Sequence, residues 1–517
     1  MMSEAGRAAC AWGAVLALTL PLGGCALGPD FVTPPAPAVG GYTADALVPA
    51  STASVRMAGG NAQSFARGRD VAGAWWRHFK SKQLDAFVEE AVRNHPDVQA
   101  AQFALRLARE NVLAQEGSLF PQVTLNGSGE RQQATSASGG AWPAQTSVYT
   151  LYNASVGVSY ALDLWGGTRR QVEALKAEAE YQAFKLEATY LSLTANVVTA
   201  AITDASLREQ IAATQEIIRI ETDQLKRLEH QFEIGAISKA DVLSQEANVA
   251  QAKATLSPLQ KQLAQQRNQL MVYLGRLPSQ DRGEYVRLSD LRLPGQIPVS
   301  LPSDLVRQRP DIRQAEATLH KATATVGVGV ANLLPQLTLS GNYGATGPMQ
   351  LYSPETVFAS VTGSISQKLI DGGTLFHTKE ADVASFEQNL ALYKSAVILA
   401  FQNVADSLRA IQYDARVLRD QAAAETATRD SLDMATEQFK TGAVPYANVI
   451  TAQQSYLNAR VSRIKAQATR FTDTVALYQA LGGGWWNRED QTPDASPRHR
   501  PGLFAGPDSL ASKDVIR

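Results

Sequence analysis

The chain has almost no cysteine, almost no net charge and, beyond its N-terminus, no long apolar run. Of 517 residues only Cys10 and Cys25 carry a thiol, and 48 basic side chains stand against 49 acidic ones, a net charge of −1. Cys10 lies in a run that reads as a removable leader, so the mature chain keeps only Cys25, which excludes an intrachain disulfide and a thiolate metal site. The near-zero charge offers no broad basic field to a nucleic acid. No later run reaches the ~20 apolar residues of a membrane helix, so a chain that crosses a membrane must do so with strands. The histidines (His78, His95, His230, His320, His377 and His499) show no metal-ligand spacing such as HExxH, and GxSxG, Walker A and GxGxxG are missing. Gly327-Val328-Gly329 is a lone GxG that reads as close helix packing. Met57, Met271, Met349 and Met434 are too scattered for a copper or silver ladder, and carboxylates such as Glu178 and Glu180 read as solvated helix faces. These absences argue against an enzyme and call for no metal and no cofactor.

Proline and glycine are also missing from two long stretches, from after Gly167 to Glu233 and from Thr374 to Thr441. At ~1.5 Å per residue each could form a helix of ~100 Å. The apolar spacing agrees with coiled-coil seams: Leu207, Ile211, Ile218, Leu225, Leu228 and Phe232, then Val242, Val249, Ala252, Leu256, Leu259, Leu263 and Leu270 after a turn at Gly235. The later stretch gives Ile450, Leu457, Val461, Ile464, Phe471, Val475 and Tyr478. Two antiparallel helical hairpins are expected, with tips near 235 and 442. Gly235 and Gly442 suit helix ends at φ > 0, Ser238 with Asp241 reads as a capping-box variant, and Pro445 suits a first helical turn.

Strands are written as plainly. From Tyr152, one face is Tyr152, Ala154, Val156, Val158, Tyr160 and Leu162; the other is Asn153, Ser155, Gly157, Ser159, Ala161 and Asp163. Period two, one apolar and one polar face and aromatic ends make a transmembrane barrel-strand pattern. Its partner starts at Pro121 with Val123 and Leu125 outward. Leu337 and Leu339, then Val357, Ala359, Val361, Gly363 and Ile365, repeat the pattern. Strands are expected at about 121–131, 151–163, 335–345 and 356–368.

The chain is a tandem duplication with copies about 207 residues apart. Leu164-Trp165-Gly166-Gly167-Thr168 answers to Ile370-Asp371-Gly372-Gly373-Thr374. Gln231-Phe232 with Gly235-Ala236 answers to Gln438-Phe439 with Gly442-Ala443. Pro96-Asp97-Val98 matches Pro310-Asp311-Ile312, and Pro121-Gln122 matches Pro335-Gln336. The expected organisation is a signal peptide (1–24), an extended N-terminal segment (25–70), repeat 1 (71–300), repeat 2 (301–484) and a polar tail (485–517). In the leader, Arg7 precedes the apolar run Ala8–Leu20, and Leu22-Gly23-Gly24-Cys25 reads as a lipoprotein cleavage box that would leave Cys25 acylated. Ala26, in place of Asp, is similar to an outer-membrane address. Four strands cannot close a barrel, since about eight is the minimum, and an open edge in lipid leaves backbone groups unpaired. Several chains must therefore share one barrel: two would give a nearly filled one, three a conduit.

Three segments carry a family resemblance: Cys25-Ala26-Leu27-Gly28-Pro29-Asp30-Phe31; Trp75-Trp76 with Phe79; and the run Leu301-Pro302-Ser303-Asp304-Leu305 through Arg309-Pro310-Asp311-Ile312. From Cys25 to about Leu481 the chain resembles the TolC-like outer-membrane factors, most closely the NodT-type lipoprotein branch that serves resistance-nodulation-division efflux pumps. The resemblance implies a mixed α and β fold: a homotrimer with a 12-stranded transmembrane β-barrel, four strands per chain, continuous with a long α-helical periplasmic barrel and an equatorial belt. It implies an outer-membrane exit duct that passively conducts small toxic molecules, partnered by a periplasmic adaptor, an inner-membrane transporter and outer-membrane lipid. It implies adaptor docking at Gly235, Ala236, Gly442 and Ala443, and a periplasmic gate at Asp241, Phe439, Ala447, Asn448 and Thr451. The second copy departs from the family there: Phe439 stands where a Tyr is common, Ala447 where a Leu can constrict, and Asn448 and Thr451 where Asp is frequent. The alternatives are the same channel serving a type I peptide or protein secretion system, or a non-transport trimeric envelope lipoprotein.

Overall fold

The computed structural model describes residues 26–43, 52–136, 145–347 and 356–488; Cys25 and most of the tail lie outside them. In chain order come β1 (Ser64–Arg67), a 3-10 turn (Trp75–Phe79), α1 (Lys82–Asn94), α2 (Pro96–Gly117), β2 (Gln122–Ser136), β3 (Gln145–Leu162), α3 (Gly167–Glu233) and α4 (Lys239–Tyr273). There follow β4 (Gln296–Val299), α5 (Pro302–Gln308), α6 (Pro310–Asn332), β5 (Gln336–Gly347), β6 (Val357–Ser366), α7 (Thr374–Lys440), α8 (Tyr446–Ala480) and a closing 3-10 turn (Trp485–Asn487). The duplication is metric as well as verbal: α3 and α7 have 67 residues each, α4 and α8 have 35 each. Only the first copy carries a proline within its shorter helix, Pro258.

The chain forms two compact units. The first gathers Met1–Tyr42, Leu107–Ala188 and Pro302–Asn403 and holds a four-stranded antiparallel sheet, in order β2-β3-β5-β6. The first hairpin is longer than the sequence windows suggest. Its ladder continues from Glu130↔Leu151 to Ser136↔Gln145, because the Ser, Thr and Gln residues there pair their backbones as apolar ones do.

Each strand-to-helix corner is held by one carboxylate. Asp163 accepts from the backbone N–H of Thr168 (2.9 Å) and Arg169 (3.0 Å), and Asp371 from Gly373 and Leu375 (2.9 Å each). These are donors that a helix start leaves unpaired. Against the first corner lies the N-terminal segment, read from sequence as an extended tether. Leu27 N–H donates to the Trp165 carbonyl (3.1 Å). Arg170, buried, donates to Asp30 (2.6 Å), Glu173 (2.7 Å) and the Leu27 carbonyl (3.2 Å). Phe31 stacks on His320 at 4.4 Å. Gly166, at φ 75°, leaves no room for a Cβ, which would sit 2.5 Å from Ala26 Cα. Gly327 meets the Leu27 carbonyl in the same way, at 2.8 Å, so the lone GxG marks a close approach by the segment that follows Cys25.

The second unit gathers Thr43–Arg106, Thr189–Leu301 and Val404–Arg517. Here β1 pairs in parallel with β4, and Trp75, 1% exposed, stacks on Tyr478 at 5.3 Å. Trp486 and Asn487 donate to Asp70, which ties the closing 3-10 turn to the segment just before Trp75. Arg470 of α8, fully buried, donates to the carbonyls of Gly59 (2.8 Å) and Asn61 (2.6 Å) and to the Thr52 hydroxyl (3.1 Å). Burial lowers its guanidinium to about 10, with the charge of Asp414 acting the other way. Arg470→Met should strand these acceptors, at a cost of about 3 kcal/mol. The chain around Arg56 and Arg67 should then become open to trypsin, which limited proteolysis reads; unchanged cleavage would mean the strap is held by other contacts.

Candidate functional site

Two places in the chain have geometry that does more than fill a core: the sheet and the hairpin tips. Across the sheet the register aligns residues of one kind. Val123, Val158, Gly341 and Val361 form one row, and Leu125, Val156, Tyr343 and Ala359 the next. Tyr160, Leu339 and Gly363 form another, then Leu162, Leu337 and Ile365. The opposite face reads Gln122, Ser159, Ser340 and Thr362, then Thr124, Gly157, Asn342 and Ser360, with Leu151 and Phe358 as large apolar exceptions. The apolar face is uncovered: Leu125 is 82% exposed, Val361 91% and Ile365 73%. A four-strand surface apolar on one side and polar on the other, with unpaired edges at β2 and β6, is a segment of a wall between lipid and water.

At the tips, α3 and α7 end in the same way. Gly235 sits at φ 75° and Gly442 at φ 73°. Gly235 N–H donates to the Phe232 carbonyl (2.9 Å) and Ala236 N–H to that of Gln231 (2.8 Å); Gly442 to Phe439 and Ala443 to Gln438 repeat this at 2.9 Å. This is the Schellman pattern, which satisfies the last carbonyls and needs a residue free to adopt positive φ. Ala236 and Ala443 are both exposed. The starts of the returning helices differ. Ser238 and Asp241 cap each other: the Asp241 carboxylate accepts from Ser238 N–H (3.2 Å) and Oγ (2.7 Å), and Asp241 N–H donates to Ser238 Oγ (3.3 Å). In the second copy Pro445 occupies the cap position itself, one step outside the first turn, without a side-chain bond. Asn448 is the counterpart of Asp241.

The five candidate gate residues differ in exposure. Asp241 is half-buried in its own cap, while Ala447, Asn448 and Thr451 are exposed along α8. Phe439 packs inward, its ring 4.9 Å from that of Tyr446, against a core of Leu228, Val242, Tyr446 and Val449.

Behind that core lies a polar cluster that the sequence reading passed over. Asn248 Nδ2 donates to Glu221 Oε1 (3.0 Å) and Gln453 Oε1 (3.5 Å). Gln245 Nε2 donates to the Glu221 carbonyl (2.9 Å), and its Oε1 accepts from the Tyr446 hydroxyl (2.9 Å). Glu221 is 1% exposed and Gln245 0%. Burial pushes the Glu221 carboxyl up to about 7, with the Asn248 bond acting against the shift. The sequence did carry a signal. Leu207, Thr214, Glu221 and Leu228 stand seven apart and are all buried, so Glu221 occupies a core position of its heptad.

The model of the outer membrane efflux protein family matches residues 87–276 and 301–483, most of the chain. The chain belongs to the outer membrane efflux protein family. The two matched segments fall one in each repeat. The toluene efflux pump outer membrane protein TtgC of Pseudomonas putida is 28% identical over 91% of this chain and 95% of its own. Nodulation protein T of Rhizobium leguminosarum bv. trifolii is 26% identical over 90% and 96%. The solved outer-membrane channel OprN superposes with a TM-score of 0.78 at 25% identity, over 89% of this chain and all of its own. As an outer membrane efflux protein the chain is a transport channel of the outer membrane, with the TolC-like fold. No helix among the described residues is long and apolar enough to cross a membrane.

Proposed function

We propose that three copies of this chain, four strands each, close one twelve-stranded barrel and serve as the outer-membrane exit duct of a tripartite efflux pump. The observation that carries this is the sheet: an apolar face, a polar face and two open edges that only further strands can satisfy in lipid. Three copies leave a lumen where two would fill it. The long helices lie on the periplasmic side, and small toxic molecules enter from a periplasmic adaptor and an inner-membrane, proton-driven transporter. Cys25 carries the lipid. Support comes from Ala26, the residue after it, which packs on Gly166 just beyond the end of β3. Gly235, Ala236, Gly442 and Ala443 form the adaptor-docking tips, since small exposed residues at a helix end admit a partner helix closely. Asp241, Ala447, Asn448 and Thr451 lie at the narrowing end, and Phe439 shapes that end through Tyr446.

Deleting the chain should raise dye and drug accumulation in cells that carry the matching adaptor and transporter, and restoring it should reverse this; unchanged accumulation would remove the efflux role. The topology has its own check. Ser136→Cys should react with an impermeant thiol reagent on intact cells, and Ala236→Cys only after the outer membrane is breached. The opposite order would invert the orientation.

A further inference from the structure

We infer that the Glu221–Asn248–Gln453 cluster, with Gln245 and Tyr446 beside it, is a proton-operated latch that ties the tip of the second hairpin to the first, and that loss of the Glu221 proton releases it. This rests on the reading above that the tips close the free end of the duct. Glu221 lies on α3, Gln245 and Asn248 on α4, Tyr446 and Gln453 on α8; two bonds join the hairpins, Tyr446 to Gln245 and Asn248 to Gln453, and Glu221 holds the first-hairpin partner of each, Gln245 through its backbone carbonyl and Asn248 through its carboxyl group. The cluster is walled from water: Asn248 is 8% exposed and Gln453 5%.

A carboxylate in that position is poorly served. Glu221 Oε1 has a single donor, and Oε2, buried, has no hydrogen-bond partner among the described residues. The groups that face it are neutral: the carboxamides of Gln245 and Asn248 from α4, and the Gln453 carboxamide and Tyr446 phenol from α8. Burial raises the phenol, so it stays protonated. Arg227, further along α3, is exposed, donates to Gln224 and acts electrostatically on Tyr446 rather than on Glu221. No charged group of α7 enters the balance at Glu221. An uncompensated buried charge is costly, and the group takes a proton instead. Polar residues at core heptad positions fix register at some cost in stability, and here one of them titrates.

The sign follows from linkage. In the latched state burial holds the carboxyl at about 7, against 4.5 for a solvated glutamate. The latch is therefore intact below about 4.5 and loses stability as pH rises through 7. The limit of the effect is about 300-fold in the latched-to-released ratio per chain. An alkaline surrounding loosens the tips, and an acidic one holds them shut.

The test uses the full-length assembled protein at pH 5.5 to 8.5 (on the order of the window that brackets the shift). Amide exchange of the first turns of α8, corrected for intrinsic rate, reads the latch. Wild type should lose protection as pH rises through neutrality, Glu221→Gln should stay protected throughout, and Tyr446→Phe should be less protected at every pH with the same midpoint. A Glu221→Gln profile that follows wild type, or a wild type with no response, overturns the latch. Bilayer conductance on the same samples reads the closure. Loosened exchange with unchanged open probability would leave the latch standing and overturn the reading of the tips as the closing point.

Discussion

Val361→Arg should strip the protein from the outer membrane, while Thr362→Arg, one residue on, should leave assembly intact. Val361 is 91% exposed and shares its row with Val123 and Val158. An arginine on the lipid face of a barrel costs roughly 2–4 kcal/mol near the midplane. A symmetric assembly incurs that cost in every copy, so the total is comparable to the whole stability of an ordinary domain. Thr362 aligns with Ser340, Ser159 and Gln122 on the polar face. A charge there meets water and should alter ion selectivity instead. The readout is the amount of heat-resistant oligomer in purified outer membranes. Equal loss in both variants would mean that the two faces are not a lipid side and a lumen side.

Ala443→Trp should return drug susceptibility to that of a strain without the chain, and Ala236→Trp should act in the same direction, with level and oligomer unchanged. Both side chains are exposed at Schellman turns whose bonds are made by backbone atoms, Ala443 N–H to the Gln438 carbonyl and Ala236 N–H to that of Gln231. An indole there leaves the turn intact and occupies the space a docking helix needs. The inhibitory concentration of a pump substrate is the measurement. Wild-type resistance in both variants would move the adaptor contact elsewhere.

The strands were legible because period two is a local property: the faces of β3 read from Tyr152 to Leu162 are the faces the register aligns. The tips were legible because Gly-Ala recurs at the end of both long stretches, and the positive φ that Schellman ends require makes glycine the residue of choice. What escaped has a common cause. The strap bond from Arg470 to Gly59 and Asn61 spans some four hundred residues of sequence, and nothing near Arg470 marks it as buried. The N-terminal segment reads as a tether because it is rich in Pro, Gly, Ala and Ser, yet Gly28 and the Leu27 carbonyl serve contacts with Gly327 and Arg170. Glu221 does not stand out in the sequence because glutamate on a long helix is usually solvated; only its place in the series with Thr214 and Leu228 marks it as buried. The first hairpin runs past the expected limits of 131 and 151 because a backbone ladder does not depend on apolar side chains, and the polar residues there still pair.

Several copies must share one barrel through the free edges of β2 and β6. Native mass spectrometry of the protein extracted from outer membranes tests this most directly. The expected result is a complex of three chains, each beginning at an acylated Cys25. A stable species of one or two chains as the membrane-inserted form would contradict it.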